Sequence, residues 1–427
     1  MSSRAERVRR LAAACAVAAL VGSVALAPAA AAKVTGQFWL STLDMKKAWT
    51  VSEGAGVTVA VLDSGVVASV GDLAGRVVPG VDLSGGGGNG QSDPGEDCAG
   101  SGGCYSHGTD MALRIAGTGA GAGFQGIAPK AKILPVKVTA RSGQQASPEL
   151  IAKGIRWAVD HGAQIINVSI GGDGPCPYSE GEAARYAYQH GVLVVAAIGD
   201  KGIGAEQAPS GCFGVLSVTA TDARFKPWSH TNYGFGTSFT AAGVDVPVET
   251  LSGAIRQHTS STDGAAAIAS GAFALIRAHF PTFGERALIT RALWNVHTGG
   301  PPLGKQIDSM LGYGEILPYY AMTYPIPATA ANPIFDRWQH DFGVPAVTGA
   351  PTAVPASSAP PDSSSSPSSA PGSGPSNGGI TINTLGAAGG SGSSTGLIIG
   401  LVAGLLVVLA IIGVVIRSRR GSRSVCS

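Results

Sequence analysis

Four residues could do chemistry together: Asp63, His107, Asp200 and Asp263. Asp63 follows the apolar run VTVAVL (57–62), within Asp63-Ser64-Gly65. His107 opens His107-Gly108-Thr109, ahead of a small-residue stretch ending Ile115-Ala116-Gly117. Asp200 closes the run VVAAIGD (194–200), and Asp263 precedes Ala265-Ala266-Ala267 in a segment that reaches Pro281. A histidine beside a carboxylate is a general base with its orienting partner. Acyl transfer would further need an activated nucleophile and donors for the developing oxyanion. Three carboxylates and a histidine would also suit a hard cation. Pooled carboxylates need no ion to explain them, however, and neither a metal nor a cofactor is expected. Each element alone is bland: a D-S-G is ordinarily a turn closing a strand, and a His beside a Gly is more often structural than catalytic.

The elements that must carry these residues alternate along the chain. Strands are expected at 57–62, 133–138, 165–170, 192–197 and 215–219, as continuous apolar runs of the kind buried on both faces. Helices are expected between and after them, at 148–161, 180–190 and 265–279. That alternation predicts an α/β domain with a mostly parallel sheet. Asp63 and Asp200 then fall at strand carboxyl ends, where such sheets place their sites. About three hundred residues, 33–325, are enough for one large core.

The flanks read differently. Residues 1–32 have a basic start, an apolar run and a small-residue end, which predicts a secretory signal peptide cleaved near Ala32. Residues 326–395 are largely Pro, Ser, Gly and Ala, the composition of a flexible linker, although Phe335, Trp338 and Phe342 are candidates to dock on the domain. Residues 396–416 form an apolar run long enough to be a transmembrane helix, and the tail 417–427 carries Arg417, Arg419, Arg420 and Arg423. By the positive-inside rule that tail is cytoplasmic, so the expected location is the cell membrane: a single-pass protein with its globular domain extracytoplasmic. Net charge of +2 with no Lys/Arg cluster argues for no nucleic acid partner. Setting aside Cys15 in the signal and Cys426 in the tail leaves Cys98, Cys104, Cys176 and Cys212 in an oxidising compartment. Of three possible pairings, proximity favours Cys98–Cys104, with Cys176–Cys212 as the longer clip. Zinc is the rival reading, but neither pair has C-x-x-C spacing.

Taken in order, Asp63-Ser64-Gly65, His107-Gly108-Thr109, Gly126-Ile127-Ala128-Pro129 and the run 165–172 (IINVSIGG) closely resemble the peptidase S8, or subtilisin-like, family. The chain order Asp, His, nucleophile is that family's order. The resemblance continues through Asn232-Tyr233-Gly234 and Ala241-Ala242-Gly243, covering residues 36 to about 320. It implies a three-layer subtilisin-like domain acting as a serine endopeptidase. Asp63 would be the orienting acid and His107 the base, while Ser169, Ile170 and Gly171 would pair with substrate backbone as an added strand. Counting back from Pro281, the nucleophile position falls on Asp263, where the family has serine. The oxyanion donor, an asparagine in the family, falls on Asp200. Leu113 stands in place of a glycine and Ala267 in place of a proline. With signal, four cysteines, linker and span, the layout resembles the mycosins, membrane-anchored subtilases associated with type VII secretion.

The expectation is therefore a pseudoprotease: a catalytically inactive serine protease homologue with a binding or scaffold role alongside type VII secretion components, whose ligand is a protein or peptide. The alternative is an active S8 endopeptidase that processes secreted proteins. That would need Ser260 or Ser261 to take the place of Asp263 at the start of the small-residue helix.

Overall fold

The computed structural model describes residues 34, 36–92, 106–140, 144–297 and 308–343, with backbone alone for 256–258. Its central strand is β1 (Thr58–Asp63), flanked by β3 (Lys132–Lys137) and β4 (Ile165–Val168). With β2 (Val81–Asp82), β5 (Leu193–Ala197), β6 (Val215–Thr221) and β7 (Thr237–Ala242) they form one seven-stranded sheet in the order β2-β3-β1-β4-β5-β6-β7. Every neighbouring pair in it is parallel. A separate antiparallel hairpin pairs β8 (Val246–Glu249) with β9 (Ile255–Thr259).

The two-residue period of β1 explains the layering. Val59 and Val61 point into a core with Met111, Leu113 and Phe273, while Ala60 and Leu62 point into a second core with Ile151, Ile155 and Ala183. Helices cover both faces, so the central strands are buried on both sides and read as largely apolar runs. Because all strands run the same way, their carboxyl ends gather on one edge. Leu62 pairs with Val168, and Val168 with Ala196, so Asp63, Ser169 and the turn 198–200 emerge side by side.

The helix Pro148–Asp160 starts where expected: the Ser147 hydroxyl accepts from the Leu150 N–H, and proline stands in the first turn. The helix expected at 265–279 begins earlier, as Thr262–His279, because Ser261 caps it by accepting from the Gly264 N–H. It is buried from Gly264 through Arg277, which is why small residues dominate it. At Gly271 a Cβ would stand 2.7 Å from the Ile127 Cβ, so the glycine permits that approach.

Several elements were not legible as apolar runs. The strand β7 (TSFTAA) is buried throughout, but its polar side chains are hydrogen-bonded: the Thr240 hydroxyl donates to the Thr219 carbonyl of β6 at 3.3 Å, that of Thr237 to the Ser309 carbonyl at 2.8 Å, and that of Ser238 to the Gly236 carbonyl at 3.3 Å. The aromatic residues left open to dock do so. The helix Pro333–Asp341, capped by the Asn332 side chain, buries Ile334, Phe335 and Trp338 in the larger core. Packed structure therefore continues past residue 325. Among the described residues no helix is long and apolar enough to cross a membrane. The expected signal at 1–32, span at 396–416 and tail at 417–427 lie outside the described residues, as do Cys98 and Cys104.

Candidate active site

Three sheet ends and two helix starts converge on a cleft of about 420 Å³. Asp63, the last residue of β1, is 1% exposed, and its Oδ1 accepts from the Ser64 N–H at 2.7 Å. His107 opens the helix His107–Ala116, whose first turn presses on the end of β1. Only glycine fits at position 108, since a Cβ there would lie 2.3 Å from the Gly65 carbonyl oxygen. That approach sets the imidazole over Asp63, with Nδ1 at 3.0 and 2.9 Å from the two carboxylate oxygens.

The other ring nitrogen faces Asp263. His107 Nε2 lies 3.4 Å from Asp263 Oδ2, with the two side chains 18% and 23% exposed. Asp263 sits in the first turn of the helix Thr262–His279. The neighbouring serines are occupied elsewhere: Ser261 Oγ accepts from Gly264 N at 3.1 Å, and Ser260 Oγ accepts from Asp245 N at 3.0 Å.

Asp200 follows β5 across Gly199 and turns toward the same helix start. Its Oδ1 accepts from the Thr262 N–H at 2.8 Å and from the Thr262 hydroxyl at 2.7 Å, so the carboxylate caps a helix N-terminus. Burial, and next the charge of Asp263, nevertheless push the Asp200 carboxyl up to about 6, against the pull of the two Thr262 donors. Of the expected substrate edge, Ile170 and Gly171 line the cleft half-buried. Ser169 is buried, and its hydroxyl donates to the Asp263 carbonyl at 2.9 Å while accepting from the Asn167 amide at 2.9 Å. Asn167 accepts in turn from Ser270 at 3.0 Å, so a polar thread ties the end of β4 to the helix that carries Asp263. What the edge can offer a ligand is therefore backbone rather than the serine side chain.

A scan of family models matches the Subtilase family over residues 54–314, more than half of the chain. The chain belongs to the subtilase family. Subtilisin Savinase of Lederbergia lenta is 34% identical over 230 residues, which are 54% of this chain and 79% of that protein. Thermitase of Thermoactinomyces vulgaris is 33% identical over 208 residues, or 48% and 70%. Others are covered less fully: the match takes in 56% of the alkaline protease of Alkalihalobacillus alcalophilus. Among solved structures, the MycP3 protease from the type VII (ESX-3) secretion system superposes with a TM-score of 0.56 at 26% identity, covering 69% of this subtilase and 89% of that chain. MycP1 with its N-terminal propeptide removed gives 0.56 at 26%, covering 68% and 98%. The fold is thus subtilisin-like, with mycosin proteases among its structural neighbours.

Sequence reasoning missed much of the cleft wall of this subtilase. Gln144, Gln145, Asp173, Lys201 and Gln207 all line it, and Lys201 Nζ pairs with Asp173 Oδ2 at 2.5 Å. None of these stands in a motif; only position one to three residues beyond a strand end or its turn could have flagged Asp173 and Lys201. A second omission lies behind the site. Asp110 and Arg114, one turn apart on the helix of His107, form a buried pair with Arg114 Nε and Nη2 both 3.0 Å from Asp110 Oδ2. The guanidinium lies against Gly264, where a Cβ would be 3.1 Å from Arg114 Cζ. Cys176 and Cys212 are bonded, clipping the loop after β4 to the one before β6. Among the described residues no group of three or more His, Cys, Asp and Glu is placed to hold a metal ion.

Proposed function

We propose that this chain is a membrane-anchored, extracytoplasmic subtilase homologue that is proteolytically silent and uses its cleft to hold an extended segment of a protein. One observation carries the reading: the group 3.4 Å from His107 Nε2 is the carboxylate of Asp263. A subtilase attacks its substrate with a serine alkoxide that the histidine generates by taking a proton. A carboxylate has no such proton to give and is a poor attacker of an amide. Asp200 compounds the difficulty, because an ionised carboxylate offers lone pairs where a developing oxyanion needs donors. The cleft and the half-buried edge at Ile170 and Gly171 remain, which suits backbone recognition of a peptide. The likeness to mycosins, one of which belongs to a type VII secretion system, and the expected signal and C-terminal span support a place beside such a system at the membrane.

The alternative, an active endopeptidase, needs Ser260 or Ser261 beside His107, and both hydroxyls are engaged elsewhere. Labelling with a fluorophosphonate probe tests the reading. The unmodified protein should take up no label, whereas labelling that disappears in Ser260→Ala or Ser261→Ala would make it an active enzyme.

A further inference from the structure

Five large hydrophobic side chains stand exposed among the described residues, and two of them line one groove away from the cleft. Phe235 is 80% exposed and Phe213 46%, and both border a hollow of about 200 Å³ together with the buried Trp338. The polar groups of the groove are engaged with the protein itself. Glu206 Oε1 accepts from the Gly236 N–H at 2.5 Å, and Arg337 Nη1 donates to the Phe235 carbonyl at 3.0 Å. The Arg337 charge also reaches Glu206, where it opposes the rise that burial imposes on the carboxyl, so the two charges offset one another. What the groove offers is aromatic surface, which favours an uncharged occupant.

The chain delivers such an occupant to the same place. The helix Pro333–Asp341 brings Arg337 and Trp338 to the groove, and Phe342 follows it directly. Phe342 packs on Gly214, the neighbour of Phe213, so closely that a Cβ on that glycine would stand 3.1 Å from Phe342 Cζ. The described residues end at Gly343, and the chain therefore leaves them beside the groove. The residues that follow, 344–356 (VPAVTGAPTAVPA), include Pro345, Pro351 and Pro355, and no charged residue occurs before Asp362. We propose that residues 344–356 fold back onto the groove of Phe213 and Phe235 as an extended proline-rich segment, pinning the start of the linker to the domain. Proline-rich chains dock on aromatic-lined grooves at little ordering cost, because the polyproline conformation is preset. At about 3 Å per residue the segment spans about 40 Å, enough to cross the groove from its point of exit. A short tether gives an effective concentration on the order of 1 mM, so a contact too weak to hold a free peptide holds this one.

The test puts p-benzoylphenylalanine in place of Phe235 in the full chain in detergent, which keeps a ring there, and maps its photocrosslinks by mass spectrometry. The crosslink should form within one chain and fall in residues 344–356. Phe213→Ser trims an exposed ring and should cut the yield about twofold or more, since losing an aromatic contact costs about tenfold in affinity. Replacing Pro345, Pro351 and Pro355 by glycine should also lower it, by removing the preset conformation. No crosslink to 344–356, crosslinks to a second copy in its place, or a yield unchanged in either variant overturns the proposal.

Discussion

Substituting Asp263 and Asp200 in steps tests the proposed loss of activity and separates the parts given to the two residues. Asp263→Ser puts a hydroxyl at the residue whose Oδ2 is 3.4 Å from His107 Nε2, and removes one of the two carboxylates flanking the ring. In subtilisin, a member of the same family, loss of the nucleophile costs about 10⁶ in kcat, so its return is the larger single step. Asp200 blocks the gain. With its carboxyl held up at about 6, only about 1% of molecules carry the acid form at pH 8. Asp263 is the second cause of that rise, so Asp263→Ser lets the Asp200 carboxyl fall and leaves it still more fully ionised. An absent oxyanion donor costs about 10²–10³ in rate, and an anion in its place costs more. Asp263→Ser alone should therefore stay nearly inert on a chromogenic peptide anilide at pH 8. Asp263→Ser combined with Asp200→Asn should exceed it by about a hundredfold or more and take up a fluorophosphonate label. Equal activity in the single and double variants would refute the role given to Asp200. Hydrolysis by the unmodified protein would refute the role given to Asp263.

Three further predictions concern the scaffold. Arg114→Met should cost about 3–5 kcal/mol in urea unfolding because it strands the buried Asp110 carboxylate, whereas Arg114→Met with Asp110→Leu should recover most of that loss. Glu315 is fully buried, and burial pushes its carboxyl from 4.5 to about 8 despite a hydrogen bond from Thr221 at 3.0 Å. A raised folded value means its contribution to stability is complete below about 4.5 and lost as pH climbs to about 8, at about 1.4 kcal/mol per pH unit. Glu315→Gln should flatten the stability–pH profile by that slope. Replacing Cys176 and Cys212 by alanine should lower stability by about 3–4 kcal/mol, as expected for a cross-link spanning 36 residues. Mass spectrometry of non-reduced peptides should also show a Cys98–Cys104 link.

The fold was legible where burial is uniform. A strand covered on both faces is largely apolar, so β1, β3, β4, β5 and β6 stood out, and the glycine and alanine of the helix Thr262–His279 marked a helix buried on every side. β7 did not stand out because its threonines and serine satisfy their hydroxyls on neighbouring backbone carbonyls, which leaves no hydrophobic signature. The site divides the same way. Asp63, His107, Asp200 and Asp263 were reachable because each ends or begins a recognisable element. Gln144, Asp173, Lys201 and Gln207 come from loops whose composition is ordinary and whose convergence is a product of topology alone.

The Asp63–His107 pair has a physical reason to exist that does not require hydrolysis. Asp63 is 1% exposed, and a carboxylate at that depth must find donors. The Ser64 N–H and the His107 ring supply them, so removing the histidine would strand a buried charge at a cost of several kcal/mol. The pair is bound to persist for stability alone. Asp263 is under no such constraint: at 23% exposure its carboxylate reaches water. Asp200 is intermediate, since asparagine and aspartate both present the acceptor that Thr262 requires. Burial thus fixes Asp63 and its His107 partner in place, while on the reading proposed above the nucleophile and oxyanion positions are freer to change. An intact Asp63–His107 pair is accordingly weak support for activity, and the decisive residues are Asp200 and Asp263.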